Sequence, residues 1–191
     1  MNIKILRAKD FKRVAWKNGG GETAEMAVFP PSATVEEFDW RISMATVEKN
    51  GPFSAFKGID RTLCVLEGDG VELSVAGLPP VVLNKKSPPH TFSAEAQTSS
   101  ILVGGAIRDL NVMTRRGRYR HQVGRLTIFD ELEIGSYFVS TLIMVVSDAL
   151  VEAAGASLGY LDAALLAPGQ SLVLNPTIPT EIIVVKIAKQ H

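Results

Sequence analysis

The chain has 191 residues, 20 Lys+Arg against 20 Asp+Glu for a formal net charge of zero, and 46% hydrophobic residues. That length buries enough surface for one domain, or two small lobes, without a metal or disulfide, and zero charge argues against a nucleic-acid protein held by bulk attraction to phosphate. Cys64 is the only cysteine, which excludes an intramolecular disulfide and a multi-cysteine zinc site.

Met1 to Lys12 scatters Lys4, Arg7, Lys9 and Lys12 among apolar residues and has no run of signal-peptide length. A short helix is predicted over Asp10-Phe11-Lys12-Arg13, with Asp10 as its N-cap. Trp40 to Val47 and Thr62 to Leu66 then follow a period near two, and Val71 to Val75, Val81 to Leu83, Ser100 to Val103, Tyr137 to Val146, Ser171 to Leu174 and Glu181 to Ile187 continue the series of strands. Their turns are marked by Glu67-Gly68-Asp69-Gly70, Ala76-Gly77-Leu78-Pro79-Pro80, Ser87-Pro88-Pro89 and Asn175-Pro176. Asp148 to Leu166 is rich in Ala and Leu, a helical composition. Gly155 and Gly159 break it, and its neighbours are strands, so strand–turn–strand is predicted there. The most apolar stretch, Thr141 to Val146, is far shorter than the ~20 residues of a membrane span. The expectation is a cytoplasmic protein with no membrane partner.

Many short strands at this spacing predict an all-β sandwich or barrel. Leu66–Asn84 and Val145–Asn175 echo each other faintly, ending Val-Val-Leu-Asn and Leu-Val-Leu-Asn, as two copies of one β module would. No linker separates the halves, so one compact body with two β lobes is expected.

The histidines His90, His121 and His191 stand in unrelated contexts with no His-x-His pair, so neither a metal nor another cofactor is expected. Cys64 lies in an apolar strand, where it reads as a small hydrophobe. Gly19-Gly20-Gly21 lacks the Lys-Ser/Thr of a phosphate loop. It is a flexible turn, or a place where backbone N–H groups approach a ligand. Arg115 to His121 is the densest charge in the chain. It reads as a solvated or ion-paired loop, with a phosphate-binding patch as the alternative.

Arg41 and Arg61 are more informative, as isolated charges inside strands that otherwise bury apolar residues. Alternation puts Arg41 on one face with Ser43 and Ala45, and Arg61 on one face with Leu63 and Val65. A half-buried arginine needs a partner. It is either an aspartate (Asp39, Asp60 or Asp109) or a ligand carboxylate, which a guanidinium binds bidentately. Asn111 adds a polar contact of the same kind.

Trp16-Lys17-Asn18-Gly19-Gly20-Gly21-Glu22-Thr23-Ala24-Glu25 and Phe38-Asp39-Trp40-Arg41-Ile42-Ser43-Met44-Ala45 resemble blocks of the HutD/Ves family. Gly51-Pro52-Phe53-Ser54, Gly58-Ile59-Asp60-Arg61 and Asp109-Leu110-Asn111-Val112-Met113-Thr114-Arg115-Arg116-Gly117 complete the resemblance, which spans residues 16–117. Lys57 and Ala106 stand where prolines are expected. The resemblance implies a bicupin, two cupin-type barrels in one chain forming a homodimer. The motif-bearing barrel would cover about 1–125 and the second about 126–191, with terminal strands crossing between them. It also implies company with histidine-utilisation enzymes, binding of an intermediate such as N-formylglutamate or urocanate with a regulatory role, and no established catalytic activity. Other members are described only as stress- or cold-induced.

The leading expectation is therefore a metal-free binding protein for a small carboxylate. Arg41 and Arg61 would make the charged contacts, Asn18, Thr23 and Asn111 hydrogen bonds, and Trp16 a wall; no catalytic residue is assigned. An acid–base isomerase or epimerase using Glu25, Asp60 or Asp109 is the alternative, and an interaction module acting through Arg115 to Arg120 is a third.

Overall fold

The computed structural model describes residues 3–190, and its regular structure is strands apart from one 3-10 turn, Ala8–Asp10. The predicted helix over 10–13 is not formed. Arg7, not Asp10, occupies the N-cap position and makes no side-chain cap hydrogen bond. Lys12 onward is extended, because pairing with a neighbouring strand satisfies its backbone where one helical turn would not. Among the described residues, no helix is long and apolar enough to cross a membrane.

The chain divides into two units, 12–120 and 3–11 with 121–190. The boundary thus falls near 120 instead of 125, and the first strand, β1 (Lys4–Leu6), pairs within the second unit. The unit 12–120 contains β2 (Lys12–Ala15), β3 (Gly21–Phe29), β4 (Trp40–Val47), β5 (Gly51–Pro52), β6 (Ile59–Glu67), β7 (Val71–Val75), β8 (Val81–Leu83), β9 (His90–Ser93), β10 (Thr98–Leu102) and β11 (Ile107–Arg115). They form a six-stranded sheet ordered β2-β3-β4-β11-β6-β9 and a four-stranded sheet ordered β5-β10-β7-β8. Val47, Leu63, Val65 and Ile107 of the larger sheet meet Val71, Leu73, Val75 and Leu83 of the smaller in one buried cluster.

The chain continues through β12 (Tyr119–Ile128), β13 (Leu132–Gly135), β14 (Ser140–Val145), β15 (Val151–Ala153), β16 (Ala156–Leu158), β17 (Ala163–Leu166), β18 (Ser171–Pro176) and β19 (Thr180–Lys189). Here the sheets run β1-β17-β14-β19-β12 and β13-β18-β15-β16, around a cluster that includes Ile143, Val145, Leu166, Leu174, Ile182 and Val184. Asp148 to Leu166 is therefore strand and turn, with Ala154 (φ 52°) and Gly155 (φ 75°) turning β15 into β16. Two successive positive φ values suit a two-residue hairpin.

The two units share one topology. The order β4-β11-β6-β9 repeats as β12-β19-β14-β17, and β5-β10-β7-β8 repeats as β13-β18-β15-β16. The fold is thus an all-β bicupin, two eight-stranded cupin-type barrels with β1, β2 and β3 added at sheet edges. The internal echo is real as topology but misplaced as sequence. It matched β8 to β18, whereas the partner of β18 is β10.

Candidate functional site

The six-stranded sheet of the unit 12–120 lines a cavity of about 470 Å³, within the range of small-molecule sites. Strand alternation decides which side chains reach it. β4 contributes Arg41, Ser43, Ala45 and Val47, β11 contributes Asp109, Asn111 and Met113, and β6 contributes Arg61. Met113 lies directly across from Arg41 on one side and Arg61 on the other, so the guanidinium groups approach from strands about 10 Å apart. Trp16, Lys17 and Asn18 enter from the β2–β3 turn, and Phe53 and Phe56 from the segment after β5.

The structure brings Trp16, Asn18, Thr23, Arg41, Arg61 and Asn111 to this one cavity. Trp16 Nε1–H donates to Thr23 Oγ1 at 2.8 Å, so the wall is anchored to β3. Asn18 is exposed at the rim, and its Oδ1 accepts the Gly20 N–H at 3.0 Å. The Gly19 N–H goes to the Trp16 carbonyl at 3.0 Å. Both amides are thus consumed by the turn, so neither Gly19 nor Gly20 offers its N–H to a ligand. Gly21 is required for another reason, since a Cβ at this position would stand 2.0 Å from the Thr46 carbonyl oxygen.

Neither arginine is bonded to the aspartates weighed from sequence. Arg41 Nε donates to Glu25 Oε2 at 2.9 Å, across the β3–β4 ladder. Asp39 instead serves Arg118 at 2.8 Å, and Asp60 serves Arg116 at 2.7 Å. Arg61, only 8% exposed, donates through Nε at 2.8 Å and also through Nη2 to Asn111 Oδ1. Its guanidinium carbon lies 4.5 Å from the Phe53 ring centre and 5.8 Å from that of Phe92, a stacked cation–π arrangement. Burial lowers its pKa to about 10, with Asp109 opposing and Arg41 adding to that fall. Arg61 is therefore a cation at neutral pH.

Asn111 Nδ2 in turn donates to Asp109 Oδ1 at 2.6 Å. Asp109 is fully buried, and its Oδ2 has no hydrogen-bond partner. Burial pushes this carboxyl up to about 6, while Arg61, the Asn111 amide and the Ala45 amide pull the other way. Phe53 and Asp109 are among the cavity residues to which the sequence assigns no ligand contact. Phe53 lay inside a quoted block, and Asp109 was weighed only as a partner or base.

Other candidates lie elsewhere. Cys64 is buried at 3% exposure, between the core residues Leu63 and Val65. His90 begins β9 opposite Leu63, with its ring 6.0 Å from Phe92, and burial lowers its pKa. His191 lies outside the described residues. Among those described, no three His, Cys, Asp or Glu side chains converge as a metal site would require.

The basic segment is an ion-paired turn leading from β11 into β12. Arg115 donates to the Phe38 carbonyl, Arg116 reaches Asp60 and Glu95, and Arg118 reaches Asp39. Glu95 is drawn down to about 2, chiefly by its bond to Arg116. In the other unit, the central strands β14 and β19 turn Ile143, Val145, Ile182 and Val184 inward. Its interior presents aliphatic side chains there, where the first unit has Arg61, Asn111 and Asp109.

The model of the family described as HutD matches residues 8–183. An uncharacterized 21.2 kDa protein in the hutC 3′ region of Pseudomonas putida is 39% identical over 150 residues, 78% of this chain and 76% of that protein. Protein Ves of Citrobacter koseri is 39% identical over 109 residues, 56% of each chain. Among solved structures, a conserved protein of unknown function from Pseudomonas aeruginosa PAO1 superposes with TM-score 0.87 at 31% identity, covering 98% of this chain and 100% of the other. HutD from Pseudomonas fluorescens SBW25, solved in a formate condition, follows at TM-score 0.83 and 29% identity, covering 99% and 100%. YhhW from Escherichia coli shares the fold at TM-score 0.71 and 11% identity.

Proposed function

The chain belongs to the HutD family, and from that premise we propose that it binds a small carboxylate metabolite in the cavity of residues 12–120, with a regulatory role. The observation that carries this is Arg61. A buried cation faces a cavity, spends Nε and Nη2 on a neutral amide oxygen, and has no hydrogen-bonded carboxylate. Its Nη1 and both terminal nitrogens of Arg41 have no hydrogen-bond partner among the described residues. Guanidinium and amide donors between aromatic walls suit an anion with an apolar body. The family, and a relative from the hutC region, favour a histidine-degradation intermediate such as N-formylglutamate or urocanate.

A thermal-shift panel of N-formylglutamate, urocanate, glutamate and histidine tests this. A ligand at one hundred times its Kd adds ~2.7 kcal/mol, which moves the Tm of a chain this size by roughly 5 °C or more. The shift is expected to vanish in Arg61→Ala and to weaken in Arg41→Ala. No shift with any of the four compounds would sink the proposal.

A second reading, acid–base isomerisation, is favoured by one observation, the Asp109 carboxyl poised at about 6 beneath the cavity. It requires solvent deuterium to enter a bound compound at carbon. Ligand recovered without deuterium would dismiss it.

A further inference from the structure

Asp109, Asn111 and Arg61 form one buried chain whose far end faces the cavity. Asn111 takes Arg61 on its carbonyl oxygen and gives its amide to Asp109, so carboxyl and guanidinium are separated by a single side chain. The cation that offsets burial of the Asp109 charge is thus the same cation offered to a ligand. We propose that carboxylate binding at Arg61 and Arg41 is coupled to the uptake of one proton from solvent by Asp109. This rests on the carboxylate reading of the cavity.

The physical reason is competition between two anions for one guanidinium. A carboxylate beside Arg61 adds a second negative charge to a desolvated site, and like charges disfavour a second ionised acid. The ligand keeps contacts to Arg41, whereas Asp109 has Arg61 as the one cation supporting its charge, with only the neutral Asn111 and Ala45 amides beside it. Burial already raises Asp109 to about 6, so it is the anion that yields. Its Oδ2, buried with no donor, is the atom able to take the proton without breaking a bond. The product is a neutral carboxyl that keeps its bond from Asn111.

The surrounding charges leave this coupling to Asp109. On β4, Arg41 is held by Glu25 of β3 at 2.9 Å. Arg108, next to Asp109 along β11, turns to the opposite face and pairs with Glu67 of β6 at 2.8 Å. Lys17 lines the cavity from the β2–β3 turn. On β9, burial lowers the pKa of His90, which does not line the cavity.

Calorimetric titration with N-formylglutamate between pH 6.5 and 8 tests the coupling. It uses two buffers of different ionisation heat, neither a carboxylate nor a phosphate. The expected result is a buffer-dependent enthalpy reporting up to one proton taken up, and a Kd that rises up to tenfold per pH unit. His90→Gln should behave as the unaltered chain does. Asp109→Asn should bind with a flat Kd and no buffer dependence, at least as tightly at pH 8. Should that variant misfold, the carboxyl carbon resonance of Asp109 in the unaltered chain serves instead, its midpoint moving upward when N-formylglutamate is added. Binding with equal enthalpy in both buffers, a flat Kd or an unmoved midpoint overturns the coupling while leaving the carboxylate reading intact. Proton uptake persisting in Asp109→Asn overturns it as well. Absence of binding at every pH removes the carboxylate reading itself.

Discussion

Replacing Asp109 by Asn keeps the shape of the side chain and its bond from Asn111 but removes the charge. The folded chain holds this carboxyl at about 6, above its ordinary 3.8. The folded state therefore binds the proton more tightly than the unfolded state, and ionisation works against folding. At about 1.4 kcal/mol per pKa unit, the penalty is about 3 kcal/mol. It is absent below pH 3.8, grows between 3.8 and 6, and is fully present at pH 8. Asp109→Asn should therefore gain about 2.5 kcal/mol on the unaltered chain between pH 4 and pH 8. In Tm, that offset is roughly 5 to 10 °C larger at the higher pH. The chain's two tryptophans, Trp16 and Trp40, belong to the same unit as Asp109, so tryptophan fluorescence in urea follows the relevant unfolding. An offset between variant and unaltered chain that is equal at the two pH values would refute the reasoning.

Three further outcomes follow from the packing. Gly21→Ala should lose at least about 2 kcal/mol of stability, because its Cβ meets the Thr46 carbonyl oxygen at 2.0 Å. Gly19→Ala, at φ +64° in open space, should lose only the ~1 to 2 kcal/mol of a left-handed residue; equal losses in urea melts would contradict the contact. Ile143→Ala, fully buried in the unit without the site, should cost about 2 to 5 kcal/mol yet preserve any carboxylate-induced thermal shift. Loss of that shift would mean the site depends on the second barrel. Trp16→Phe removes the Nε1–H that fixes the wall to Thr23 and should weaken carboxylate binding by about 0.5 to 1.5 kcal/mol, read by calorimetry; unchanged affinity would mean that Trp16 does not shape the bound state.

Strands between Gly- and Pro-marked turns were legible because their signal is local. Trp40–Val47, Val71–Val75 and Val81–Leu83 have the predicted bounds. β3 and β12 escaped notice because Glu22 and Glu25, or Arg120 and Arg125, break the apolar alternation on which such reading depends. The short helix at Asp10 failed for a related reason, since the decisive hydrogen bonds come from β3, beyond the reach of a local capping rule.

At the site, sequence alone determined that Arg41 and Arg61 are anomalous, because a charge in an apolar strand must be answered wherever that strand lies. What answers them was a tertiary decision. Glu25 precedes Arg41 by 16 residues and Asn111 follows Arg61 by 50, and only strand register brings them together. The same register sets Asp109 at the end of the buried chain, where burial pushes its pKa upward. Residue type is written in the chain, but desolvation and proximity exist only once the sheet has closed over it.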